Sequence, residues 1–515
     1  MWKAICKASL AVLLSGAGWA VAAPAMTAQG AVAGQRQAGV DVYRGIPFAL
    51  PPLGALRWRP PQPVPAWQGV REAGKFAPAC MQQGVSMPGE AAPTVSEDCL
   101  YLNIWAPPRH AGQRLPVIVW IHGGGYTNGS ASMPLYHGDR LARKGVLVVT
   151  IAYRLGALGF LAHPALSAES PHRSSGNYGL MDQIAALEWV QRNIAAFGGD
   201  PQRVTIAGQS AGAMAVSALL VSPRAKGLFQ RAIAQSGGIF EPLQLAPGYL
   251  LANAERDGVA YMQALGATTP DAMRKLPAAR LTGTNPVSHP VIDGDVLPLS
   301  PYDGYVRGRN HDVPLLIGSN SEEARALVDV TAVRADRFEA DITASFGALP
   351  VALLAAYPHD TDAQARDARL GFERDLRFGW DMWAWARLAQ SGRSPVYYYS
   401  FEHQPPFPAG SVHAGWGASH FAEMWYMFDH LGQAPWKWRA ADHALAAAMS
   451  DYWVRFAATG DPNGQGLPHW PAFRGAAGQV QRLGDPIGTG PVPALRQLQV
   501  FDAVYAKVRG SAFGD

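Results

Sequence analysis

Phe197-Gly-Gly-Asp-Pro-Gln-Arg-Val-Thr-Ile-Ala-Gly-Gln-Ser-Ala-Gly212 is the stretch that decides the fold of this chain. Gly198-Gly199 stops a helix, Arg203-Val-Thr-Ile-Ala207 is a short apolar run of the kind buried on both faces of a parallel sheet, and Ala211–Leu220 reads as a helix. Between run and helix, Gly208-Gln-Ser-Ala-Gly212 has the form Gly-x-Ser-x-Gly. A serine hydroxyl is a weak nucleophile until a tight strand-to-helix turn presents it to a base, and glycines on both sides leave room for such a turn. A helix N-terminus behind the turn favours negative charge developing beside Ser210.

The pattern repeats outward from this stretch. Leu180, Ile184, Leu187, Val190, Ile194 and Phe197 recur at spacings of three and four, which predicts an amphipathic helix over 179–197. Leu115–Ile121 and Val146–Ala152 are continuous apolar runs rich in β-branched residues, and Pro395–Phe401 is another strand. Residues 24–65 read as short strands and turns, 441–459 as a helix, and 240–390 as mainly helical and less regular, like a cap inserted into a sheet. Alternating strands and helices predict an α/β fold with a mostly parallel sheet. His122-Gly-Gly-Gly125 directly follows the run 115–121. Three successive glycines let backbone N–H groups face a carbonyl oxygen without side-chain obstruction, as stabilising a tetrahedral intermediate requires.

Composition bounds the rest. The 515 residues are 48% hydrophobic, which excludes a mainly disordered chain. A formal charge of +4 from 43 basic and 39 acidic residues is too dilute for a nucleic-acid footprint. Lys3 and Lys7 precede an apolar run from Ala8 to Leu14 and small residues up to Ala23, the layout of a secretory signal peptide over 1–23 with an approximate cleavage site. The run falls short of the ~20 residues of a spanning helix, so no stable membrane anchor is expected after processing. Secretion or export to the periplasm is the expected destination. Cys6 leaves with the leader, and Cys80 and Cys99 remain: most simply a disulfide in an oxidising compartment, alternatively two buried thiols. Without paired histidines nearby they make no metal site.

Glu97-Asp-Cys-Leu-Tyr-Leu-Asn-Ile-Trp105 and the stretch Phe197–Gly212 resemble the two signature segments of type-B carboxylesterases, in the carboxylesterase/cholinesterase family of α/β-hydrolases. Asn177-Tyr-Gly-Leu-Met-Asp-Gln183, Gln235-Ser-Gly-Gly238 and Thr459-Gly-Asp-Pro-Asn463 are similar to further blocks of that family, and the likeness runs from about Gly39 to about Tyr505. The resemblance implies an α/β-hydrolase fold with a helical cap, one domain over 24–515, and a Ser–Glu–His triad without metal or cofactor. Ser210 matches the nucleophile. Gly318-Ser-Asn-Ser-Glu-Glu323 resembles the segment of the acid and points to Glu323 over Glu322, although the glycine common after the acid is Ala324 here. Gly415-Trp-Gly-Ala-Ser-His-Phe-Ala-Glu423 resembles the histidine segment, with His420 as base. Gly124, Gly125 and Ala211 match the oxyanion-hole donors, Ser236 and Glu423 the supporting residues, and Cys80–Cys99 the first disulfide. The order Ser210, Glu323, His420 is also the order this topology demands.

The expected activity is two-step hydrolysis of small or aromatic carboxylic esters through an acyl-enzyme. In cholinesterases the loop between the first two cysteines carries a tryptophan for choline; here 81–98 holds no aromatic residue, which argues against choline esters. Trp380, Trp383, Trp385 and Tyr397-Tyr-Tyr399 are either pocket walls or core, and Arg374 and Arg377 either a seat for an acidic acyl group or a solvated helix face. Leu431–Trp438 offers apolar surface or core, and the oligomeric state is not readable from these residues. The competing readings are a catalytically silent binding protein on the same fold, which this complete set of motif residues disfavours, and a hydrolase for a special bond such as a carbamate, a thioester or a toxin side-chain ester.

Overall fold

Leu115–Ile121 lies inside a mostly parallel sheet because it has no polar side to offer solvent. Val117, Val119 and Ile121 join one hydrophobic cluster, while Ile118 and Trp120 join the cluster on the opposite face. The computed structural model describes residues 20–510 apart from 23, 86, 88–90, 109–111 and 284. The leader read over 1–23 therefore lies outside the described residues, except for Ala20–Ala22. Leu147–Ile151 pairs with one side of Leu115–Ile121 and Gly199–Gln209 with the other, both parallel. Beyond Gly199–Gln209 come Arg231–Gln235, Leu315–Asn320, Val396–Phe401 and Gln479–Leu483, again all parallel. Antiparallel strands extend both ends, with Tyr101–Ala106 against Leu147–Ile151 and Gly488–Pro491 against Gln479–Leu483. The described sheet has 12 strands.

Helices cover both faces. Tyr178–Asn193 packs Leu180, Ile184 and Leu187 into the first cluster, and Ala440–Thr459 packs Met449 and Trp453 into the second. The α/β-hydrolase architecture expected from the sequence is the one observed. The helical spacing read over 179–197 resolves into an α-helix to Asn193 and a 3-10 turn Ile194–Phe197, ended by Gly198 at φ 91°, a left-handed conformation that glycine adopts without strain. The stretch 240–390 contains helices such as Leu251–Ala264 and Asp362–Arg374, and also the central strand Leu315–Asn320.

The open alternatives close. Cys80 and Cys99 form a disulfide, and both are buried. Trp380, Trp383 and Trp385 are core residues, as are Tyr397, Tyr398 and Tyr399. Neither arginine is a free seat for an acid: Arg377 stands on a solvated face and Arg374 is half-buried, and both are paired. Arg374 donates to both oxygens of Asp375 at 2.7 and 2.9 Å, and Arg377 to buried Glu373 at 2.7 Å. Among the described residues no helix is long and apolar enough to cross a membrane.

Candidate active site

Gly199–Gln209 ends at Ser210, which takes φ 58° and ψ −126° before the helix Ala211–Leu219 begins. A serine at positive φ is held there by its surroundings. Its N–H donates to the Gln235 carbonyl at 2.9 Å. A Cβ on Gly208 would stand 2.4 Å from the Gly212 carbonyl carbon, and one on Gly212 2.1 Å from the Ile121 oxygen, so both glycines let helix and strand close on the turn. Ala211 opens its helix, so its N–H has no carbonyl one turn back to bond.

The glycine turn after Leu115–Ile121 lies against this elbow: a Cβ on Gly123 would come 3.0 Å from the Cβ of Ser210. Gly124 and Gly125 have φ of 104° and 57°. The Gly124 carbonyl accepts the N–H groups of Thr127 and Asn128 at 3.0 and 3.1 Å, while the N–H groups of Gly124 and Gly125 find no acceptor among the described residues. His122 braces the turn from behind. Its Nδ1 is 2.9 Å from the Gly123 oxygen and its ring stacks on Tyr153 at 4.5 Å, whose hydroxyl donates to the His122 carbonyl at 2.8 Å. Burial pulls His122 down to about 4, which leaves it neutral at neutral pH.

Glu323 follows the strand Leu315–Asn320, and the long loop after the neighbouring strand Val396–Phe401 brings His420 back to it. Nδ1 of His420 is 2.7 Å from Oε2 of the fully buried Glu323, and Oε1 of Glu323 accepts the Asn320 N–H at 2.7 Å. Glu322 turns the other way, pairing with Arg325 at 2.8 Å and accepting the Ala418 N–H at 2.9 Å. Ala324 is buried in the 3-10 turn Glu323–Ala326 and takes no positive φ, so this turn does not call for glycine. A carboxylate on Nδ1 fixes the proton there and leaves a lone pair on Nε2. That lone pair faces the Gln209 side-chain amide at 3.2 Å, and no hydrogen bond joins it to the Ser210 hydroxyl. The ring of Phe378 stacks on the imidazole with centroids 4.4 Å apart and planes 13° from parallel.

A polar layer lies beneath. Glu423 is fully buried, takes the Asn320 side-chain amide at 2.6 Å and the Gln235 amide at 3.0 Å, and is pushed up to about 7 by burial and by the charge of Glu323. Ser236 stands at φ 53° and donates its N–H to the Gly318 carbonyl at 2.9 Å, but its buried hydroxyl makes no hydrogen bond to Glu423 or to any other described residue. Asn320, Gln235, Gln209 and Phe378 are thus parts of the site to which the sequence had assigned no role. The first three stand inside the quoted motifs, where their amides are one signal; Phe378 carries none.

Beside the site is a cavity of about 580 Å³. Gly129 and Ser130, just past the glycine turn, form part of its wall, and so does Phe421, the residue after His420. Trp425, Trp436 and His413 face it from the segment leading to the helix Ala440–Thr459, and Met133 and Leu135 also line it. Among the described residues no carboxylate, lysine or arginine lines it, and burial pulls His413 below the usual histidine range. The aromatic wall is therefore real, but comes from 413–436 and not from the tryptophan and tyrosine triplets. No group of three or more histidine, cysteine or acidic side chains is gathered as a metal site among the described residues.

The likeness to known proteins extends over almost the whole chain. The sequence profile of the carboxylesterase family matches residues 22–492. The fumonisin B1 esterase of Sphingopyxis macrogoltabida is 40% identical over 482 residues, covering 90% of this chain and 87% of that protein. The human cocaine esterase is 37% identical over 472 residues, covering 85% and 82%. Among solved structures, a PNB esterase superposes with a TM-score of 0.79 at 32% identity, over 93% of this chain and 99% of the other, and a thermophilic PNB esterase with 0.81 at 31% identity over the same shares.

Proposed function

This chain belongs to the carboxylesterase family and is an ester hydrolase, and from that premise we propose that it cleaves neutral small or aromatic carboxylic esters through an acyl-enzyme on Ser210. The observation that carries this reading is the 2.7 Å contact of His420 with buried Glu323, formed at the sheet end where Ser210 projects from its turn.

His420, protonated on Nδ1, offers Nε2 as the base. As the ester binds, Gln209 yields that lone pair to the Ser210 hydroxyl, whose proton moves to Nε2 while its oxygen attacks the carbonyl carbon. Glu323 orients the ring and stabilises its charged form. The N–H groups of Gly124, Gly125 and Ala211 hold the oxyanion; losing one such donor typically costs about 3–4 kcal/mol. The imidazolium protonates the leaving alcohol, and water activated by the same nitrogen then frees the acid from Ser210. Glu423 supports the histidine segment from below through Asn320, whose side-chain amide donates to Glu423 and to the Ser419 carbonyl, and Ser236 contributes its backbone turn beside them. All these steps take residues 24–515 as one unit, since Ser210, Glu323 and His420 come together only across one sheet.

The aromatic wall of the cavity supports a neutral apolar group on the substrate, and the paired Arg374 and Arg377 give no support to an acidic one. The Cys80–Cys99 disulfide fits export to an oxidising compartment, the exterior or the periplasm.

The test is a panel of p-nitrophenyl esters of graded size, extended to fumonisin B1 and cocaine, with an organophosphate label mapped by mass spectrometry. Turnover of neutral esters, label on Ser210 and an inert but folded Ser210→Ala support the reading. Ester turnover retained by Ser210→Ala overturns the nucleophile. Activity confined to one large natural ester overturns the substrate class.

A further inference from the structure

Phe378 belongs to no motif, yet its ring covers the imidazole of His420 face to face. Its position is a product of irregular backbone. The helix Asp362–Arg374 passes into a π-helical turn, Asp375–Gly379, before continuing as Trp380–Ala389. A π turn places one extra residue in the helix and rotates the next residues around the axis, and such turns gather at functional sites. Here Phe378 turns toward the histidine, while Trp380, Met382 and Trp383 resume the buried face.

The turn is braced. Asp375 is buried, accepts the Tyr357 hydroxyl at 2.8 Å and holds Arg374 through both oxygens. Gly379 lets the coil tighten, since a Cβ there would stand 2.8 Å from Oδ1 of Asp375. Glu373, one residue before Arg374, is buried and pairs with Arg369 and Arg377. The backbone that carries Phe378 is thus braced by a polar frame, whose Arg374 and Asp375 also border Asn320.

We propose that Phe378 is a positioning residue for the base: its stacked ring holds the plane of the His420 imidazole in line with Glu323 and favours the charged ring formed when Ser210 gives up its proton. A cation over an aromatic face is stabilised by the ring quadrupole, most where water is excluded. The charged group that touches His420 is Glu323 at Nδ1, with Glu423 acting beside it, while Gln209 at Nε2 is neutral. The arginines nearest Phe378 in the chain, Arg374 and Arg377, are neutralised by Asp375 and Glu373. Replacing the ring leaves all of these in place. The inference rests on the reading of His420 as the base.

The experiment compares Phe378→Leu and Phe378→Tyr with the full wild-type chain on a small p-nitrophenyl ester, taking kcat, KM and the pH dependence of kcat/KM. Phe378→Leu should lose about tenfold in kcat with KM changed less than about twofold, and its acid limb should move about half a pH unit lower, because the charged imidazole has lost its partner. Phe378→Tyr, which keeps a ring, should restore both values. Wild-type kcat and an unmoved acid limb in a folded Phe378→Leu overturn the proposal, and so does a loss confined to KM, which marks a substrate contact. If the leucine variant does not fold, Phe378→Met removes the ring with a more adaptable side chain and is judged by the same two outcomes. His420→Gln is measured alongside: full activity there removes the base assignment itself, whatever Phe378 does.

Discussion

The side-chain amide of Gln209 stands 3.2 Å from Nε2 of His420, on the lone pair that a serine hydroxyl would need. The residue immediately before the proposed nucleophile therefore holds the proposed base in its resting state. A neutral amide can be displaced from that position by an approaching hydroxyl; a carboxylate there would grip the charged ring. For Gln209→Glu we expect the acid limb of kcat/KM to move up by about one pH unit, since a buried carboxylate against an imidazole favours its protonated form. A pH–rate profile on one small ester decides it, and an unmoved limb contradicts the contact.

Glu423 gives a prediction about stability. In the folded protein it keeps its proton up to about pH 7, whereas an unfolded glutamate releases it near 4.3. The folded state thus binds that proton more tightly, so its contribution is fully present below about pH 4 and is lost as pH rises toward 7. Glu423→Gln should flatten this slope. Its melting temperature should fall less between pH 5 and pH 8 than that of the wild type, by an amount corresponding to a few kcal/mol at most. Parallel slopes in the two proteins would show that Glu423 titrates normally.

Gly212 has no space for a side chain, because the atom it would add meets the backbone oxygen of Ile121 at 2.1 Å. Backbone cannot swing aside as a side chain does. Gly212→Ala should cost about 3 kcal/mol or more and shift the start of the helix that carries the Ala211 N–H. Thermal melts together with kcat should both fall; a stable, fully active variant would mean that helix and strand stand further apart.

Arg154 and Asp182 form a buried ion pair, with Nε and Nη2 of the arginine at 2.8 and 2.7 Å from the carboxylate. Arg154→Met leaves a buried carboxylate without its cation and should cost about 3–5 kcal/mol, read from denaturant midpoints. Asp182→Asn alongside it should recover part of the loss.

Trp436 tests the cavity. Trp436→Ala should raise KM for bulky aromatic esters by about tenfold and leave acetyl esters near the wild-type value, since only the larger group reaches the aromatic wall. Equal effects on both would separate the cavity from substrate binding.

Much of this was legible in the residues. Continuous apolar runs such as 115–121 specify a strand buried on both faces, because a sheet covered by helices has no solvent side, and the observed strand has the same bounds. Motif alignment points to Glu323 over Glu322, and in the fold Glu323 faces His420 while Glu322 accepts the Ala418 N–H, since adjacent residues in a turn point to opposite sides. What escaped was whatever depends on three-dimensional side-chain placement. Trp436, within 431–438, reads as core or surface, because an aromatic residue against a cavity has the same composition and spacing as one in a core, and Trp425 carries no sequence signal at all. Phe378 was unreadable because periodicity presumes a regular helix, and a π turn breaks the register at the residue in question. Arg377 is solvated as its spacing suggests, but its pairing with Glu373, and that of Arg374 with Asp375, escaped because those partners are close in sequence yet buried.

The backbone at Ser210, φ 58° and ψ −126°, limits which nucleophiles this scaffold can carry. A β-branched side chain is a severe outlier at positive φ, so threonine would strain the turn where serine or cysteine, each with a single γ atom, would not. A change of nucleophile at this position therefore leads toward thiol chemistry. Threonine-based hydrolysis would need a different backbone altogether, so the turn that exposes the hydroxyl also selects which element can stand in its place.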